Sequence, residues 1–269
     1  MKHKHNYLIR LQYLGFRYRG WFWQRKVKTV QEMVQKTLMF VFHHERFKTL
    51  GAGRTDAMVS SNDYAFELFM SEPIEDLEDF MIQFNHNLPS DIRALEIKEV
   101  SSEFNVMNDS KLKEYVYLFS YGEKFHPFSA PFMAYQDAEL DVELMKEGAK
   151  LFEGEHDFRK YCSQPSPNAV FVRTVDFCEI KDNDLYTANF FPKDSYMMTI
   201  RSKGFMRYQI RFIMGALFKL GRHEIGLDDI KKSLISSDCR EHLEHPAPAS
   251  GLILNKLTYS EFETQKEVD

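Results

Sequence analysis

In the run Gly51-Ala52-Gly53-Arg54-Thr55-Asp56-Ala57, a guanidinium, a hydroxyl and a carboxylate follow two glycines within three residues. The glycines permit a positive φ or a close backbone approach. Two readings fit these residue types. In one, the segment is a structural turn whose Asp56 pairs with its own Arg54. In the other, Asp56 stays ionised in an enclosed site because a neighbouring guanidinium favours the charged carboxylate. Farther along, Arg207 and Arg211 are spaced i, i+4 within a helical pattern over 206–220, off the apolar stripe of Phe205, Tyr208, Phe212, Ile213, Ala216, Leu217 and Leu220. That flank faces either solvent or the Gly-Arg-Thr-Asp loop. Other constellations are missing: there is no phosphate loop, dinucleotide glycine fingerprint, His-Glu-x-x-His, Gly-x-Ser-x-Gly elbow or base-deaminase pattern. Cys239-x-x-His242-x-x-His245 offers metal-ligand residue types, but on a helix the three positions spread around the circumference and a fourth ligand is not apparent, so no metal is expected. His43-His44 reads as a surface pair at a helix end.

The elements that must position these residues follow from periodicity. Tyr7, Ile9, Leu11 and Tyr13 alternate as a half-buried strand with Arg10 and Gln12 on its other face. Gly15 and Gly20 bracket an aromatic-basic loop, and Thr29-x-x-Glu32 is a capping box opening a helix with Val30, Met33, Val34, Leu38 and Val41 at helical spacing. Tyr64, Phe66 and Leu68 mark a strand, 77–84 a helix closed by Asn87-Leu88-Pro89, and 94–100 and 115–120 further strands. The second half reads as a helix over 140–151, strands near 175–180, 185–190 and 197–202, helices over 206–220 and 227–235, and a last strand over 251–259. This order predicts an α+β fold of two mixed subdomains, 1–108 and 109–269, with helices on one face of antiparallel sheets. The polar stretch 104–113 is the expected join.

Composition narrows the class. The chain has 269 residues with 43% apolar, 14% aromatic and 28% charged residues, which is soluble-globular material. No apolar run approaches the ~18 residues of a membrane span, and Arg10 interrupts any signal-peptide core. Three widely spaced cysteines suggest reduced thiols in a cytoplasmic protein. Net charge is −5, yet residues 1–54 carry 12 Lys and Arg against two Glu, and residues 193–222 carry seven against Asp194 alone. Residues 55–110 reverse the sign, with 13 acids against Arg93 and Lys98. Two basic blocks in an acidic chain are compatible with a polyanionic partner, since only charges close to phosphates displace counterions. They are equally compatible with solvated faces that happen to share a sign.

GAGRTDAMVSS resembles the catalytic loop of the TruA family of tRNA pseudouridine synthases, AGRTDAGVHA. YLGFRYRGWFWQ resembles that family's Y-D-G-x-x-Y-x-G-W-Q-x-Q, TVQEMVQKTL its S-V-Q-E-x-L-E-x-A-L helix, and NHNLPSDI its N-x-x-L-P-x-D-I. Tyr115-Val116-Tyr117 sits where the family has R-x-Y-x-Y, and EGEHDF resembles G-x-H-D-F. FMRYQIRFIMGAL is similar to F-x-x-x-M/Q-V-R-x-I-V-G-x-L, and PAPASGL to A-P-x-x-G-L. Order and spacing hold from about residue 7 to 259. The resemblance implies a cofactor-free isomerisation of uridine to pseudouridine in RNA, most often the tRNA anticodon stem-loop, by a cytoplasmic homodimer whose subdomains share a central antiparallel sheet with the active cleft between them. It implies Asp56 as the catalytic carboxylate, Arg211 as its ion-pair partner, Tyr115 as a stacking platform for the everted uracil, Phe205 packed near the pocket, and Arg54 on the RNA. Arg17, Arg19, Arg25 and Arg207 join it as candidate RNA contacts from the basic blocks. Departures are Met58-Val59-Ser60 for Gly-Val-His, Leu14 for the Asp of Y-D-G, and Met107 for the Arg of F-x-A-R. They bear on substrate identity more than on reaction type. The rivals are the same chemistry on another RNA, such as ribosomal RNA, and an RNA-binding module of this fold without turnover.

Overall fold

The computed structural model describes residues 4–165, 168–235 and 245–259. The chain is mixed α+β, with a central, mostly antiparallel sheet and, among the described residues, five α-helices. It forms two compact units, one of the residues up to Lys111 with the stretch from Leu254, the other Leu112–Ile253. In chain order the first unit holds β1 (His5–Tyr13), α1 (Val30–Phe42), β2 (Phe47–Gly51), β3 (Ser60–Met70), α2 (Leu77–Asn87) and β4 (Ile92–Val100). The second holds β5 (Ser110–Tyr121, its first two residues still in the first unit), β6 (Ala134–Gln136), α3 (Val142–Lys150), β7 (Gly154–Asp157), β8 (Val172–Val175), β9 (Phe177–Asp182), β10 (Tyr196–Ser202), α4 (Gln209–Gly221) and α5 (Leu227–Ser233). β11 (Leu252–Tyr259) then brings the chain back to the first unit.

In the first unit β1 lies between β4 and β3, antiparallel to both, and β2 pairs with the far end of β3. Both faces of β1 are occupied. Tyr7, Ile9, Leu11 and Tyr13 are buried, and on the other face the Arg10 guanidinium binds both Asp63 carboxylate oxygens and the Leu257 carbonyl. α1 begins where the capping box places it: Thr29 Oγ1 accepts the Glu32 N–H at 3.3 Å, and Val30, Val34 and Leu38 are fully buried. α2 is capped by Asp76, which accepts from Glu78 and Asp79, and stacks Phe80 on Phe42 of α1 at 5.2 Å between ring centroids. Each such buried side chain contributes about 1.5–3 kcal/mol of transfer free energy.

The second unit sets β10 between β5 and β9, all antiparallel, with short β6 parallel to β5 and a separate β7–β8 ribbon. Two expectations fail here. The stretch 185–190 is not a strand: Asn183 captures it, accepting the Tyr186 N–H at 3.0 Å and donating to the Tyr186 carbonyl at 2.8 Å and to Ser195 Oγ at 3.1 Å. An Asn offering such local bonds competes with ladder formation. The helix expected over 206–220 starts only at Gln209. Tyr208 holds a left-handed φ of 64°, and the Gln209 side chain takes the Met206 N–H at 2.8 Å. Phe205 and Arg207 therefore precede α4 and do not share its face with Arg211.

Candidate active site

The ladder between β2 and β3 runs one bond past Gly51, Ala52 N–H to the Ala65 carbonyl at 2.9 Å, and then opens into residues 52–59, the loop carrying Arg54, Thr55 and Asp56. From there side chains hold the loop. The buried Tyr64 hydroxyl donates to the Gly53 carbonyl at 2.6 Å, and the Tyr13 and Thr55 hydroxyls lie 3.1 Å apart. Ser60 Oγ accepts the Gly15 N–H at 2.9 Å, while Met58 N–H reaches the Tyr18 carbonyl at 3.0 Å and Val59 N–H the Asp56 carbonyl at 3.2 Å. Beneath lies an aromatic floor, with Trp21 at 4.1 Å and Tyr13 at 5.8 Å from Tyr64 between ring centroids. Such ring pairs are worth about 0.5–1.5 kcal/mol beyond their buried area.

Gly20 explains how the aromatic-basic loop fits against this one. Its φ is +86°, and a Cβ there would sit 2.3 Å from the Thr55 carbonyl oxygen. Only glycine permits that contact. Asp56 is half-buried; Arg54 is exposed with its guanidinium 5.6 Å from the centre of the Phe22 ring. Arg19 and Arg25 are exposed on the neighbouring loop. Arg17 is engaged elsewhere: its Nε and Nη2 both bind Asp91, the latter at 2.8 Å, and Tyr18 donates to the same carboxylate at 2.6 Å. Burial alone would raise the Asp91 carboxyl, but the Arg17 and Tyr18 hydrogen bonds outweigh it and leave it below its usual range. An RNA phosphate would have to compete with Asp91 for Arg17.

In the second unit Tyr115 stands on β5, half-buried, with Phe205 edge-on at 5.5 Å and 89°. Lys113, two residues earlier on the same strand face, has its ammonium pKa lowered by burial. Arg211 lies in the first turn of α4, where a cation opposes the helix dipole. It is held by its Nε donating to the Ala247 carbonyl at 2.7 Å, by Ala247 N–H returning to the Arg211 carbonyl at 2.9 Å, and by the Tyr208 ring 4.9 Å away. Arg207 is exposed, 5.2 Å from the same ring, and bonded to Gln164 Oε1 at 2.6 Å. Among the described residues no group of three His, Cys, Asp or Glu could hold a metal; Cys239 and His242 lie outside the described residues. No helix among the described residues is long and apolar enough to cross a membrane.

A family model described as tRNA pseudouridine synthase matches residues 149–260. The tRNA pseudouridine synthase A of Listeria monocytogenes serotype 4a (strain HCC23) is 30% identical over 251 residues, covering 93% of this chain and 97% of that protein. The chain belongs to the tRNA pseudouridine synthase A family, TruA. Proteins of the same name from Mesoplasma florum and Thermodesulfovibrio yellowstonii are 32% and 29% identical, each covering 94% of this chain and 98% or more of their own length. Against the family's loop motif, Met58 stands at a glycine position and keeps a left-handed φ of 68°. Ser60, at the motif's histidine, uses its hydroxyl to tie down Gly15. Nothing in the residue pattern ties Tyr13 and Tyr64 to the loop above them, or Ala247 to Arg211. The two tyrosines gave only a strand-face signal, which names a face and not a partner.

Proposed function

We propose that this chain converts uridine to pseudouridine in tRNA, without a cofactor, using Asp56 as the catalytic carboxylate. The observation that carries the reading is the Asp56 loop itself, a half-buried carboxylate on backbone pinned by Tyr13, Tyr64 and Ser60, in a chain matched over nearly its whole length by relatives named tRNA pseudouridine synthase A. The reaction is an isomerisation: the C1′–N1 bond of an everted uridine breaks, the uracil turns while retained, C1′–C5 forms, the C5 proton leaves to solvent, and N1 takes up a proton in exchange. Asp56 serves as the nucleophile or general base that starts it, which requires a charged carboxylate in a site that keeps the detached base from water. Tyr115 supplies a π-face for the everted uracil, with Phe205 packed beside it, and Arg211 supplies the guanidinium of the machinery. Arg54, Arg19, Arg25 and Arg207 hold the RNA backbone. The preferred substrate is the anticodon stem-loop, and the working form is a cytoplasmic homodimer.

The test is release of tritium from tRNA labelled at uracil C5. Wild type releases label in proportion to pseudouridine formed, and Asp56→Asn abolishes release while tRNA affinity changes little. Turnover of Asp56→Asn within ~10-fold of wild type, about 1.4 kcal/mol of barrier, overturns the assignment. Release from ribosomal RNA alone removes the tRNA substrate and keeps the reaction.

A further inference from the structure

Trp23 has no part in the reaction just described, yet it is 56% exposed, whereas Trp21 is fully buried. A single exposed apolar side chain is common on protein surfaces, and what distinguishes Trp23 is the fixed, acid-free basic loop that carries it. Its loop is held open by specific bonds: Trp23 N–H to Gln31 Oε1 at 2.9 Å, Gln24 Nε2 to the Arg19 carbonyl at 3.0 Å, and Arg19 N–H to the Lys28 carbonyl at 2.9 Å. Residues 19–28 contain Arg19, Arg25, Lys26 and Lys28, all exposed, and no acid. The same loop abuts the Asp56 loop through Gly20 against Thr55 and Phe22 under Arg54.

We infer that Trp23 is a stacking platform for an unpaired base of the RNA substrate flanking the nucleotide processed at Asp56, with Arg19, Arg25 and Lys26 on the adjoining phosphates. The inference rests on the proposed function for the identity of the ligand. Charge selects the occupant: protein–protein interface cores are depleted of lysine, whereas single-stranded RNA is bound by an exposed ring and cations together. A π-face accepts any base, so the platform adds affinity and register without reading sequence.

The test measures binding of an unmodified tRNA transcript to wild type, Trp23→Ala, Trp23→Phe and Arg25→Gln across a salt series, with thermal melting of each protein. Trp23→Ala is expected to weaken binding about 5- to 150-fold, the range of one stacked base, and Trp23→Phe to retain most of the affinity. A stack carries no charge, so the slope of log K against log salt stays unchanged in Trp23→Ala and flattens by about 0.7 in Arg25→Gln. Trp21 is buried, so quenching of indole fluorescence by tRNA in wild type reports on Trp23, and it reads stacking even if Trp23→Ala folds poorly. Affinity of Trp23→Ala within twofold of wild type, or absence of quenching in wild type, overturns the inference. So does a change of oligomeric state in Trp23→Ala with RNA binding intact, which assigns the indole to a protein interface. Wild type that binds tRNA but releases no label from it counts against the proposed reaction and leaves this result standing.

Discussion

Replacing Tyr64 by phenylalanine removes one oxygen from beneath the Asp56 loop and leaves the ring against Trp21 and Tyr13. The lost bond is the 2.6 Å donation to the Gly53 carbonyl. A hydrogen bond of this kind contributes about 0.5–1.5 kcal/mol net, and Gly53 is only half-buried, so water can partly satisfy its carbonyl. The stability change is therefore about 1 kcal/mol, a fall in Tm of about 2–4 °C for a chain of this size. The same energy biases the loop toward the conformation seen here, so its loss lowers the ratio of that conformation to its alternatives by about fivefold, the most by which the population presenting Asp56 can fall. Steady-state tritium release should show kcat down about 3- to 5-fold, with KM nearly unchanged if the proposed arginines hold the RNA. Gly51→Ala should act on the same loop from below: its Cβ would lie 2.2 Å from Trp21 Nε1 and 2.3 Å from the Tyr64 hydroxyl oxygen, overpacking worth about 1–3 kcal/mol. A Tyr64→Phe enzyme with lowered Tm and wild-type kcat would refute the reasoning, since the hydroxyl would then stabilise the fold without placing the loop.

Tyr115→Phe should keep most of the RNA affinity and Tyr115→Leu should lose about 1–3 kcal/mol of it with little change in melting; an unfolded Leu variant would make the ring structural. Met58→Gly relieves a left-handed conformation costing a side chain about 1–2 kcal/mol, against about 0.4–1 kcal/mol of added chain entropy in the unfolded state, so denaturant titration should show a gain of about 0.5 kcal/mol. Burial raises the Glu67 carboxyl, with the Val106 N–H bond opposing and Asp109 reinforcing. A folded pKa above the unfolded value means that its contribution is full below the unfolded pKa and declines as pH rises through the folded one. Glu67→Gln removes that decline, so its Tm relative to wild type should improve as pH rises above the ordinary glutamate range, and a flat difference would contradict the shift.

Local interactions made much of this protein readable from its residues. The Thr29 cap, the periodicity of α1 and the alternation in β1 and β3 are short-range properties, and the structure has them where the residue pattern puts them. Collinear motifs identified the family for the same reason: residue types in order survive without knowledge of their contacts. What the pattern could not decide depends on partners far along the chain. β2 shows no alternation in Phe-Lys-Thr-Leu-Gly and exists because β3 offers it a ladder. The start of α4 moved from 206 to Gln209 because Tyr208 takes a left-handed turn and Gln209 spends its side chain on Met206, choices that propensity does not encode. Arg17 reads in the sequence as one cation of a basic loop, and only the fold shows it bonded to Asp91, 74 residues away. Tyr64 is core by its ring, and only the fold shows that its hydroxyl also reaches the Gly53 carbonyl. Residue types in order were enough to locate the loop that carries Asp56 and to name the family. Tertiary structure decided what holds that loop and which charges around it are already engaged, because hydrogen bonds and ion pairs are settled by distances that only folding creates.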